Sequence, residues 1–175
     1  MVYNVESRLK LLDYLEREKY LKTPEVRSAL EKIDRESFVR ESDRDFAYDD
    51  TPLPIGQGQT ISAPHMVAMM LEELKLKQTD NLLEVGSGCG YHAAVASKMV
   101  SKVTTVERIR YIYELAVENL TNFKNIELIN GDGSLGYLHN SPYQKIMVTC
   151  GSPKIPKPLV DQLDFGGLMV IPVGG

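Results

Sequence analysis

No stretch of the 175-residue sequence approaches the ~20 consecutive apolar residues that a membrane-spanning helix needs, and its start has no apolar signal core. Residence in the cytoplasm, away from any membrane, is the expectation. Cysteine is scarce: Cys89 and Cys150 both fall at the ends of expected strands, and a structural disulfide is not expected in a reducing compartment. They read as small packing residues. With only three histidines, scattered, no metal-ligand spacing exists, so no metal is expected. Excess positive charge is absent too. The net charge of −4 argues against an electrostatic grip on nucleic acid. Internal repeats and low-complexity tracts are also missing. What remains is ordinary: 43% hydrophobic and 25% charged residues, enough chain for one domain with a substantial core. Oligomeric state is not legible.

The most informative stretch is Leu82-Leu83-Glu84-Val85-Gly86-Ser87-Gly88-Cys89-Gly90-Tyr91. A short apolar run ends in an acid, glycines follow at alternate positions, and Ala93 to Val100 reads as a helix. A glycine turn lets backbone approach a ligand closely and aims helix N–H groups at it. The dinucleotide fingerprint G-x-G-x-x-G would place its third glycine at position 91, where Tyr91 stands. A carboxylate two residues before Gly86 would repel a pyrophosphate but suits an ammonium or hydroxyl groups. Taken alone, the turn is also compatible with a tight connection that binds nothing. Two further acids at strand ends weigh against that. Glu107 closes Lys102-Val103-Thr104-Thr105-Val106-Glu107, one βαβ half-unit beyond Glu84, where an acid hydrogen-bonds ribose hydroxyls. Asp132, in Gly131-Asp132-Gly133, follows a third run, Ile126 to Asn130, and is placed to meet an adenine amino group. Singly, such acids are usually solvated or capping residues. Together, at the carboxyl ends of successive strands, they point to S-adenosylmethionine, which carries an amino group, a sulfonium and a ribose but no phosphate.

Around this centre the pattern predicts helices over about 5–20, with Val5, Leu9, Leu12 and Leu15 on one face, and from Pro24, capped by Thr23. A third runs over 65–76, with Met66, Met70 and Leu74 at helical spacing. Residues 46–64 contain Pro52, Pro54, Gly56, Gly58 and Pro64, so no regular element is expected there, only an ordered loop packed on the domain. From 80 onward strands near 81–85, 102–107, 126–130, 145–150 and 167–173 alternate with helices near 91–100, 109–122 and 156–164. That alternation argues an α/β fold with a doubly wound parallel sheet covered on both faces. The chain ends on Ile171-Pro172-Val173-Gly174-Gly175, the opening of a turn, and a hairpin along the sheet edge is expected to be missing.

The run Ala47-Tyr48-Asp49-Asp50-Thr51-Pro52-Leu53-Pro54-Ile55-Gly56-Gln57-Gly58-Gln59-Thr60-Ile61-Ser62-Ala63-Pro64 with His65-Met66-Val67-Ala68 resembles the signature of protein-L-isoaspartate O-methyltransferases. Leu83 to Tyr91, Gly131 to Gly133, Ile155-Pro156, Gly166-Gly167 and Ile171 to Gly174 fit as well, so the resemblance covers about residues 30–174. It implies a Rossmann-like S-adenosylmethionine-dependent methyltransferase sheet with an N-terminal helical extension (about 1–45), a substrate and cofactor loop (about 46–64) and a core (about 80–175) in one domain. The implied reaction moves a methyl group to the free carboxylate of L-isoaspartyl residues in damaged proteins and peptides. The ester then closes to a succinimide, whose hydrolysis restores some normal linkage; S-adenosylhomocysteine is the other product.

By the same resemblance Ser62 is the active-site serine, positioning the carboxylate rather than attacking it, since no His and acid are ordered around it. A second reading of Ser62 is capping of the helix that opens at Pro64. Gln59, Thr60, Ile61 and Val67 are expected beside the cofactor. Glu84, Gly86, Gly88 and Gly90 would form the pocket for its methionine end, Glu107 would bind the ribose, and Asp132 with Gly133 the adenine. Tyr48, Thr51, Pro54 and Ile55 are expected to help form the peptide groove. Three positions depart from the family pattern: Arg40 where proline is usual, Cys89 where serine or threonine is commoner, and Gln144 where an aspartate begins the fourth strand. Competing readings are a methyltransferase for another carboxylate, and a non-catalytic module that grips S-adenosylmethionine or damaged peptides.

Overall fold

Parallel strands need crossovers, and this chain supplies them in order. A computed structural model describes residues 2–174, so the ends of the expected 1–175 domain, Met1 and Gly175, lie outside the described residues. Five strands, β3 (Asn81–Val85), β4 (Lys102–Glu107), β5 (Ile126–Asn130), β6 (Tyr143–Val148) and β7 (Leu163–Val170), form one sheet. Its order is β5-β4-β3-β6-β7, and every pairing is parallel. The order reverses at β3, the switch point where open α/β sheets bind ligands. In register, Glu84 lies beside Thr105 and Met147, and Val85 beside Val106 and Val148.

The two faces of the sheet are covered unequally. Leu82, Val103 and Met147 point into a large apolar cluster. It is built with α1 (Val2–Arg17), α2 (Pro24–Lys32), α3 (Pro64–Leu74), α4 (Tyr91–Ala96) and α5 (Arg110–Leu120). The other face packs Leu83, Val85, Val106, Ile146 and Val148 against Leu159 of α6 (Lys157–Gln162) and Tyr137 of the 133–140 segment, which contains two single 3-10 turns. Helices do lie on both faces, but that second cover is thin.

Local chemistry explains where elements stop. α1 ends three residues before the expected boundary because Lys19 takes a left-handed conformation (φ 63°) without a glycine. Of the expected stripe, Leu12 and Leu15 are buried, whereas Val5 and Leu9 remain exposed. α2 starts on Pro24 with Thr23 accepting the Val26 N–H, as its sequence predicts. α4 stops at Ala96, four residues short of the expected end, β6 lies two residues early, and two further departures stand out. The 46–64 segment contains a regular element after all, a hairpin of β1 (Leu53–Gly56) and β2 (Gln59–Ile61). Its prolines stand where no ladder N–H is needed, and Gly56, Gln57 and Gly58 turn the chain with positive φ. The last strand starts at Leu163, directly after α6, rather than at 167, and Phe165 on it is fully exposed.

The three departures from the family pattern also find local explanations. Gln144 accepts the Asn81 N–H (2.9 Å) and donates to Asp164 (2.8 Å), bridging β3 to β7 with a donor that an aspartate lacks. Arg40 pairs with Asp43 at the surface (2.6 Å). Cys89 is buried as a packing residue, and burial pushes its thiol up to about 11. No helix among the described residues is long and apolar enough to cross a membrane.

Candidate active site

At the carboxyl ends of β3, β4 and β6 the structure encloses a cavity of about 410 Å³. The glycine turn forms its floor. Gly86 sits at φ 90°, and a Cβ there would stand 2.7 Å from the Thr149 hydroxyl, so only glycine fits. Ser87 and Gly88 continue the wall. Gly90 does not: it faces inward, where a Cβ would stand 2.8 Å from Leu120, and its task is to let α5 approach α4.

Glu107, at the end of β4, lines the cavity and is 6% exposed. One carboxylate oxygen accepts the Gly88 N–H (3.2 Å) and the other the Ile109 N–H (2.9 Å). The group is thus fixed by backbone on both sides, and each oxygen keeps a lone pair for hydroxyl donors. Asp132 and Gly133 follow β5 and also line the cavity. Asp132 caps a single 3-10 turn through Oδ1, which accepts from the Ser134 N–H and hydroxyl, and those bonds hold its carboxyl below the usual range. Its other oxygen takes no part in that cap.

Glu84 stands differently from the expectation. It is fully buried behind the turn, on the large-core face, and is not part of the cavity wall. Its Oε2 accepts from Thr105 and its Oε1 has no partner among the described residues. Burial pushes the carboxyl up to about 8. Two lining side chains carry the same signature: Ser87 Oγ and His92 Nε2 are buried without hydrogen-bond partners among the described residues. Burial drives His92 down to about 3, so its ring is neutral. Unpaired buried polar atoms are costly, and the two that line the cavity beside the turn fit a polar ligand end.

The hairpin supplies the opposite wall. Gln59, Thr60, Ile61 and Ser62 line the cavity, together with Val67 of α3. Ser62 does not cap α3. The N-cap is Ala63, which has no side chain for the task, and the Asp50 carboxylate accepts the His65 N–H instead (2.9 Å). The four groove residues are not brought to the cavity. Tyr48 donates to Asp34 (2.6 Å), the Thr51 carbonyl accepts from Arg35, Pro54 is exposed, and Ile55 is buried against the Gly88 side of the turn.

Sequence reasoning missed part of the wall. Thr149, Cys150 and Ser152 follow β6, a position that repeats the strand-end logic of Glu107 and was readable. His92, in the first turn after the glycines, was readable too. Pro156 and Leu159 were not, because only the folding back of α6 brings them there. Among the described residues no group of His, Cys, Asp and Glu is placed to hold a metal ion.

Against known proteins, residues 6–175 match the family model described as protein-L-isoaspartate(D-aspartate) O-methyltransferase. A curated relative from Archaeoglobus fulgidus, protein-L-isoaspartate O-methyltransferase 1, is 54% identical over 154 residues, covering 85% of this chain and 71% of the relative. A solved protein-L-isoaspartate O-methyltransferase superposes with a TM-score of 0.85 at 30% identity; the match covers 95% of this chain and 55% of that one. A Plasmodium falciparum crystal structure, described as a beta-aspartate methyltransferase in complex with S-adenosyl-L-homocysteine, gives a TM-score of 0.84 at 28% identity, covering 96% and 84%.

Proposed function

We propose, from the premise that this chain belongs to the protein-L-isoaspartate(D-aspartate) O-methyltransferase family, that it methylates the free carboxylate of L-isoaspartyl residues in damaged proteins and peptides. S-Adenosylmethionine is the methyl donor. The single observation that carries the reading is that Ser62, on the hairpin wall, opens into the same cavity as the glycine turn and Glu107.

The reaction asks little of acid–base chemistry. A carboxylate with a reference pKa near 4 is already ionised at neutral pH, so no general base is needed. When bound, the cofactor supplies a methyl group on a positively charged sulfur that departs as a neutral thioether. The substrate oxygen forms a bond to the methyl carbon as the carbon–sulfur bond breaks, and the electron pair stays on sulfur. The chain's contribution is alignment and exclusion of water, since the opposite charges cancel in the transition state and are better solvated before it. Ser62 donates a hydrogen bond to one carboxylate oxygen and leaves the other facing the methyl group. Glu107 accepts from ribose hydroxyls, Asp132 from the adenine amino group, and Ser87 and His92 meet the methionine end. Gln59, Thr60, Ile61 and Val67 close over the cofactor from the hairpin side. This reading places the enzyme in the cytoplasm, acting on isoaspartyl proteins, with no call on nucleic acid or membrane.

The test is transfer of labelled methyl from S-adenosylmethionine to an L-isoaspartyl peptide, beside the same peptide with normal aspartate. Base-labile label on the isoaspartyl peptide alone is expected. Label on both peptides would move the reading to another carboxylate methyltransferase, and cofactor binding without label to a binding module.

A further inference from the structure

Ser62 sits at the base of a hairpin that the sheet does not hold. Among the described residues β1 and β2, of four and three residues, pair only with each other. Such a ribbon is marginal alone and needs outside anchors. Two side chains supply them. Arg35, buried at 1% exposure, donates to the Ala47 carbonyl (2.9 Å) and the Thr51 carbonyl (3.5 Å) while its guanidinium lies 5.1 Å from the Tyr91 ring centre. This fixes the 47–51 segment on both sides of Asp50. The Asp50 carboxylate then reaches across to the other end of the hairpin. Oδ1 accepts the His65 backbone N–H at 2.9 Å, and the His65 ring Nδ1 stands 2.9 Å from Oδ1 and 3.0 Å from Oδ2.

We infer that Asp50 and His65 are a positioning pair that closes the substrate hairpin at its base and holds Ser62 toward the incoming carboxylate. The inference rests on the methyltransferase reading of Ser62 given above. Asp50 precedes β1 and His65 follows Ser62, Ala63 and Pro64, so the pair ties the two ends of a fifteen-residue excursion. Ordering such a loop has an entropic cost that pre-formed contacts remove before the substrate arrives. The same contact relieves Ser62 of a structural duty. The N-cap of α3 is Ala63, which has no side-chain acceptor, and Asp50 satisfies the free His65 N–H from outside. The Tyr20 ring, 5.2 Å from the His65 ring centre, covers the pair. The far half of α3 is held separately, by Glu72 accepting from the Lys22 and Thr23 N–H groups (both 2.8 Å). A loss at Asp50 therefore loosens the Ser62 end of the helix and leaves the other end hooked.

The pair is tested with Asp50→Ala, Asp50→Asn and His65→Ala. The readouts are anisotropy of a labelled isoaspartyl peptide with saturating S-adenosylhomocysteine, calorimetry of S-adenosylhomocysteine itself, and KM against kcat for the peptide. Asp50→Ala is expected to weaken peptide binding by about tenfold while cofactor-product affinity stays within about threefold. Asp50→Asn is expected to recover most of the loss, because an amide oxygen still accepts from both His65 donors. Unchanged peptide affinity in Asp50→Ala, equal losses in the Ala and Asn variants, or a parallel loss of S-adenosylhomocysteine affinity would overturn the pair. Where Asp50→Ala does not fold, His65→Ala keeps the backbone bond and loses the ring. It should weaken the peptide by about threefold without touching the cofactor product, and no change would overturn the pair. A wild-type chain that does not prefer the isoaspartyl peptide would instead overturn the reading beneath it.

Discussion

The two walls of the cavity are built by different physics. On the cofactor side, Glu107, Asp132 and the glycine turn leave the ends of parallel strands whose register is fixed by ladders on both flanks of β3 and β4. Even the Glu107 carboxylate is held by two backbone N–H groups. On the hairpin side, Ser62 follows a short ribbon that no ladder joins to the sheet, anchored by Arg35 and Asp50 through contacts distant in sequence. One wall is stiff because backbone makes it so, the other because a few side chains do. Backbone changes should therefore dominate at the first wall and side-chain truncations at the second.

The largest effect is expected where backbone has no freedom. Gly86→Ala places a methyl group 2.7 Å from the Thr149 hydroxyl at a φ of 90°. Strain and overpacking together should cost about 2–4 kcal/mol of S-adenosylhomocysteine binding or of stability. Calorimetry and melting on one sample would show it, and a dissociation constant within fivefold at an unchanged melting temperature would mean that the turn yields. Glu107→Ala comes next. It removes the acceptor proposed for ribose and takes their partner from the Gly88 and Ile109 N–H groups, so cofactor affinity should fall by about 1.5–3 kcal/mol. An unchanged dissociation constant would take Glu107 out of the site.

The same contrast explains what could be read in the sequence. Strand limits 81–85, 102–107 and 126–130 were legible to the residue, because short runs rich in apolar or β-branched residues stop there at an acid or before a glycine. Glu107 and Asp132 were legible as cavity residues for that reason. The side chain of Glu84 was not, since alternation turns it to the opposite face from Leu83 and Val85. Gly90 was misplaced because a glycine that admits Leu120 looks the same in sequence as one that admits a ligand. At the hairpin, proline and glycine obscured a real ladder, and no periodicity announces that Asp50 will cap a helix fifteen residues on.

Ser62→Ala probes the side-chain wall with a smaller change. It removes the hydrogen bond proposed to the substrate carboxylate and nothing from α3, where Asp50 accepts the His65 N–H. Turnover should fall by about tenfold, the scale of one such bond, with S-adenosylhomocysteine affinity unchanged. The reverse pattern would shift Ser62 to the cofactor side and remove the contrast between the walls at its centre.

A last contrast concerns a carboxyl buried behind the stiff wall. Glu84 is buried beneath the turn with Oε1 unpaired. Burial raises its pKa from 4.5 to about 8, so the fold favours the neutral acid while the unfolded chain ionises above 4.5. The stability contributed by the neutral form is thus complete below pH 4.5 and is lost as the pH rises through about 8. Melting of the ligand-free chain should drop between pH 5 and pH 8. Glu84→Gln, which keeps the acceptor and cannot ionise, should flatten that slope. A slope that survives Glu84→Gln would assign the titration to another group.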